Sequence, residues 1–120
     1  MTAQPVEPVA GGVEIVPRPA RTIADVKAAL AIVAPDQLPR MTEEHTKATD
    51  EAIKAGSIGP MRAFLEHWAA IVEIERFPER AKAFHRARYL ADNAASLDDC
   101  RKYVHTYGEI YRSACKAVSA

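Results

Sequence analysis

The chain has 120 residues, enough for one domain, and 48% of them are hydrophobic, enough for a core. Sixteen basic residues balance sixteen acidic ones, so the formal net charge is zero. That excludes a general polycation that coats nucleic acid, an acidic mimic of one, and wholesale disorder.

Residues 1 to 20 hold prolines at 5, 8, 17 and 19 and the Gly11-Gly12 pair. Proline removes backbone donors and glycine resists ordering, so this stretch is expected to be a flexible tail, with the domain at 21–120. Val13, Ile15 and Val16 alternate with Glu14 in part, but a lone strand without a partner is weak, and the unstructured leader is preferred. The opening Met1-Thr2-Ala3-Gln4-Pro5 has no basic region followed by an apolar one, so no secretory leader is expected.

From residue 22 the punctuation is helical. Thr22 caps a first helix, and Ile23, Val26, Leu30 and Val33 form its apolar stripe until Pro35 ends it. Asp36 is the expected cap of a second helix, with Pro39 in its first turn and Gly56 as its stop. Leu38, Met41, His45, Ala48 and Ala52 share one side of it, and Glu43, Glu44, Lys47, Asp50, Glu51 and Lys54 the other. Gly59-Pro60 opens a third helix, in which Met61, Phe64, Leu65, Trp68, Ile71 and Val72 make the strongest apolar face of the chain. Arg62, Glu66 and Glu73 are expected opposite, facing solvent.

Phe77-Pro78 breaks the third helix, and a fourth runs from about 79 to 93. Ser96 caps the last helix. There Leu97, Cys100, Val104, Tyr107, Tyr111, Ala114 and Val118 follow a heptad seam. The fold class expected is therefore all-α, a small bundle of about five helices with short connections.

Few constellations point to chemistry. Cys100 and Cys115 are about 22 Å apart along one helix, too far for a disulfide, and no CxxC is present. They read as reduced structural thiols, in keeping with a cytoplasmic setting. Histidines stand at 45, 67, 85 and 105. None belongs to HExxH or follows a glutamate at the i+3 spacing of a dimetal site, so no metal or cofactor is expected. His45 reads as a partly buried packing residue. No GxSxG elbow, phosphate loop or paired carboxylates in contrasting environments appear, so no catalytic residues are assigned and the chain is not expected to be an enzyme. No run reaches the roughly 18 apolar residues that span a membrane.

The charge is uneven locally. Arg76, Arg80, Lys82, Arg86 and Arg88 face only Glu79 within residues 76 to 88. Lys82, Arg86 and Tyr89 form an i, i+4, i+7 stripe suited to an acidic protein surface or to phosphate and a base. Tyr103, Tyr107 and Tyr111 form a second stripe, a candidate homodimer face on the last helix.

Ala28-Ala29-Leu30, Pro35-Asp36, Asp50-Glu51-Ala52 and Pro60 with Phe64-Leu65-Glu66-His67-Trp68-Ala69 resemble a family of small actinobacterial α-helical proteins of unknown function. The match is loose, covers about residues 21–80, and has Trp68 as its most distinctive residue. The resemblance implies a helical bacterial protein of the cytoplasm and is compatible with an antitoxin-like role.

The function expected is thus a non-enzymatic protein–protein interaction module, antitoxin-like or regulatory. Its expected contacts are Arg80, Lys82, Arg86, Tyr89, Tyr103, Tyr107 and Tyr111, with tail residues Val13, Ile15, Val16 and Arg18 folding onto the partner. Two alternatives remain: nucleic-acid binding through the basic helix around residues 76–89, and a small enzyme or enzyme subunit with no recognisable motif.

Overall fold

The computed structural model describes residues 12–119. Within them the chain forms five α-helices and no strand. Residues 1–11, the first part of the expected tail, lie outside the described residues.

Helix α1 (Ile23–Val33) starts where Thr22 Oγ1 accepts the Asp25 N–H, and ends before Pro35. Pro35–Gln37 then form a 3₁₀ turn that leads into α2 (Leu38–Ala55). Asp36 lies inside this turn and does not cap α2, whose N-terminus has no side-chain cap. The tight turn and Pro39 take the place of the cap: proline has no amide hydrogen to satisfy. At the other end Gly56 adopts φ 62°, a left-handed conformation that is open to glycine without strain.

Helix α3 (Gly59–Glu75) has Pro60 in its first turn, and its successor α4 (Pro78–Asp92) starts at Pro78. The corner between them is made by Phe77, held in extended backbone at φ −113°, as a residue before proline must be. Helix α5 (Leu97–Ser119) is capped by Ser96 Oγ, which accepts the Asp99 N–H at 3.1 Å.

Helix α3 is the axis of the molecule. Every residue from Trp68 to Phe77 is buried. The run Trp68-Ala69-Ala70-Ile71-Val72 has no polar side, and a helix that is apolar all round must be covered all round. Val26 and Leu30 of α1, Met41 and Ala48 of α2, Phe84 of α4, and Ala114 and Val118 of α5 complete that cover. His45 is half-buried on α2, its ring centroid 5.2 Å from that of Phe64.

The seam on α5 is graded. Ala114 and Val118 are buried and Tyr107 and Tyr111 half-buried, but Leu97 and Val104 are exposed. Twenty-three residues make this helix about 34 Å long. Its C-terminal half packs on α3, whereas its first turns overrun the body as one arm of the α4–α5 hairpin. Cys100 and Cys115 are both free thiols on this unbroken helix.

Residues 12–20 form no helix, but they lie on the bundle. The Ile15 N–H donates to the Arg76 carbonyl at 2.7 Å, and Val16 packs against the core.

Candidate functional site

Three separate places receive the residues singled out above. The first is a closed ion cluster where the N-terminal segment meets the end of α3. Glu73, expected on the solvent side with Arg62 and Glu66, is only 3% exposed. Both of its oxygens are taken: Arg18 donates from Nε and Nη2 at 2.9 Å each, and Arg76 from Nε at 2.9 Å and Nη2 at 3.3 Å. Arg80 adds a third cation at 3.7 Å and, with Arg76, stacks over the Phe77 ring. Arg76 also bonds Glu14 at 2.5 Å. Burial by itself pushes the Glu73 carboxyl upward, but the hydrogen bonds and charges of Arg18 and Arg76 outweigh it and hold the group below its ordinary range. Arg18 and Arg80 are thus committed to the chain's own carboxylate. Beside this cluster, the buried Glu75 accepts from His85 Nε2 at 2.6 Å.

The second place is the outer side of α4. Lys82, Arg86 and Tyr89 project opposite the buried line Ala81, Phe84, Ala87 and Ala91. Tyr89 is 67% exposed. Lys82 reaches only the exposed Glu79, at 3.7 Å, and Arg86 has no ion-pair partner among the described residues. Along the N-terminal segment, Val13 and Ile15 are also exposed.

The third is a groove between α3, α4 and α5, with α2 at its rim. The expected tyrosine stripe does not stay together. Tyr103 is half-buried near the hairpin tip beneath Lys102, whereas Tyr107 and Tyr111 turn inward. Tyr107 meets Phe84 edge-on, with centroids 6.0 Å apart, and Tyr111 Oη lies 2.6 Å from His67 Nδ1. Together with Trp68 and Ile71 they wall a recess of about 280 Å³. Burial lowers the His67 imidazole's affinity for a proton, more than the neighbouring Glu44 restores it. Burial, followed by the Cys115 thiol, pushes the Tyr111 phenol up to about 12. Both groups are therefore neutral at physiological pH. The Trp68 indole N–H donates to Glu44 Oε1 at 3.0 Å, and Arg40 Nε donates to Glu44 Oε2 at 3.1 Å. Arg88 stands on the opposite rim, over the Phe84 ring.

Sequence reasoning did not find Glu73, Glu44 or His67. One signal was available for the first: Glu73 is the lone charge within Trp68–Ile74, a stretch too apolar to offer a solvent side. A buried indole N–H also requires an acceptor, which in the structure is the Glu44 carboxylate. Among the described residues, no group of three or more His, Cys, Asp or Glu is placed to hold a metal, and no helix is long and apolar enough to cross a membrane. A scan of protein-family models, a search of curated proteins and a search of solved structures each returned no match.

Proposed function

We propose that the chain is a non-enzymatic protein–protein interaction module, antitoxin-like or regulatory, working in the cytoplasm. The observation that carries this reading is the outward line Lys82, Arg86 and Tyr89 on α4. A tyrosine at 67% exposure, at the end of a line of two exposed cations of which Lys82 reaches only the exposed Glu79, is an interface composition, and it suits an acidic partner protein. Val13 and Ile15, exposed on the N-terminal segment, are further candidate contacts. Arg18, Arg80, Tyr107 and Tyr111 serve the chain's own packing in this reading and hold the surfaces in place. Self-association through the last helix is confined to its first turns, where Leu97 and Val104 are exposed.

The test is recovery of a partner by photocrosslinking from Tyr89 in the native host, followed by binding measurements with the purified pair. Lys82→Glu with Arg86→Glu is expected to weaken the complex by at least about tenfold. Unchanged affinity overturns the assignment of this face. Binding to DNA or RNA that falls steeply with salt and vanishes in the same variant favours the nucleic-acid alternative. Sedimentation that finds only monomer removes the homodimer.

A further inference from the structure

The groove between α3, α4 and α5 does not take part in the docking surface, yet it has the composition of a ligand site. Small-molecule sites are concave, mostly apolar, and carry a few convergent polar groups. Here the half-buried Tyr107 and Tyr111 supply aromatic walls over a floor of buried Trp68 and Phe84, and the volume of about 280 Å³ suits one ring with a short substituent. Aromatic walls favour a planar guest, which stacks or meets them edge-on.

The charges decide the substituent. His67 and Tyr111 are neutral and occupied with each other at 2.6 Å. Glu44 lies near the recess, but its two oxygens take the Trp68 indole and Arg40, and its charge offsets that of Arg40. Arg88 is what remains: it lines the recess, lies over the Phe84 ring at 5.8 Å from its centroid, and has no ion-pair partner among the described residues. One uncompensated guanidinium beside an apolar recess matches one carboxylate, which it can receive with two parallel N–H donors.

We propose that this groove binds a small planar aromatic carboxylate, its ring against Tyr107 and Tyr111 over the floor made by Trp68 and Phe84, and its carboxylate on Arg88. This site is independent of the α4 docking face, because Arg88 and Arg86 point to different sides of the helix. Binding would tie α4 to α3 and α5, the elements whose packing forms the groove.

Trp68 is the chain's single tryptophan, so one indole resonance reports on the site. The test is a titration of the full chain with benzoate and indole-3-acetate, followed at that ¹H–¹⁵N indole peak, with benzamide as the neutral comparison. A saturable shift with at least one acid is expected, with benzamide weaker by about tenfold or more. Arg88→Gln is expected to weaken the acid by a similar factor, and Arg86→Gln to leave it unchanged. Arg88 and Arg86 are both exposed, so neither change threatens the fold. The proposal is overturned if neither acid saturates up to about 10 mM. It is equally overturned if benzamide binds as well as the acids, if Arg88→Gln is silent, or if Arg86→Gln weakens binding as much.

Discussion

The ion cluster at Glu73 and the groove at Trp68 lie on the same helix, and both bring arginine and glutamate together, but they end in opposite states. At Glu73 both carboxylate oxygens are filled by Arg18 and Arg76, and the N-terminal segment closes the site from outside. In the groove, Glu44 is satisfied by Trp68 and Arg40, and a second cation, Arg88, is left over beside an open recess. A polar centre whose partners are all internal holds the fold. A polar centre with a surplus is available for something outside the chain.

The difference can be broken from the closed side first. Glu73→Ala leaves Arg76, itself only 6% exposed, without its buried carboxylate and with only the half-exposed Glu14 as partner. Removing one member of a buried pair costs about 3–5 kcal/mol, so the thermal midpoint is expected to fall by more than about 10 °C. A fall of only a degree or two would show that water reaches the cluster.

Acid acts on both regions, in separate windows. The Glu73 carboxyl is held below its ordinary value of 4.5 in the folded chain, so its contribution is present above that pH and is lost as pH falls through the lower folded value. His67 behaves with the same sign. Its folded affinity for protons lies below the ordinary 6.5, so the unfolded chain takes up the proton first and stability begins to fall below that pH. Denaturant titrations across this range should show the upper decline vanish in His67→Gln and the lower one diminish in Glu73→Gln. An upper decline that persists in His67→Gln would move that linkage to another group.

Smaller effects sharpen the comparison. Tyr111→Phe removes the hydroxyl beside His67 Nδ1, and the half-buried position predicts a loss of about 1–2 kcal/mol in urea unfolding. Arg18→Ala should cost less, about 1 kcal/mol or under, because the side chain is 47% exposed and Arg76 still holds Glu73. Its clearest signature is expected in hydrogen exchange: faster exchange at the Ile15 amide, with α3 unchanged. Equal protection of Ile15 in the variant would show that its bond to the Arg76 carbonyl suffices to keep the segment in place.

Much of the fold was legible because helix ends are local chemistry. Thr22, Ser96, Gly56 and the prolines at 35, 60 and 78 act on backbone groups within a few residues of themselves, and each helix starts or stops where they stand. Asp36 failed as a cap for an equally local reason, the 3₁₀ turn that Pro35 begins. The sites were less legible. Arg18 and Glu73 are 55 residues apart, His67 and Tyr111 are 44, and Trp68 and Glu44 are 24. No spacing rule on one helix reaches such pairs.

What the sequence alone determined is the set of five helices, their apolar stripes and the basic, outward line on α4. Only the tertiary structure decided which polar residues are internal. A helical projection places Glu73 opposite the apolar arc, but four helices and the N-terminal segment converge on α3 and leave that end no solvent side. The same convergence turned Tyr107 and Tyr111 inward, left Leu97 and Val104 uncovered beyond the end of the body, and kept Arg88 at the rim of a recess without an ion-pair partner among the described residues. Periodicity tells a residue which way to face. What it meets there depends on how far the neighbouring helices reach.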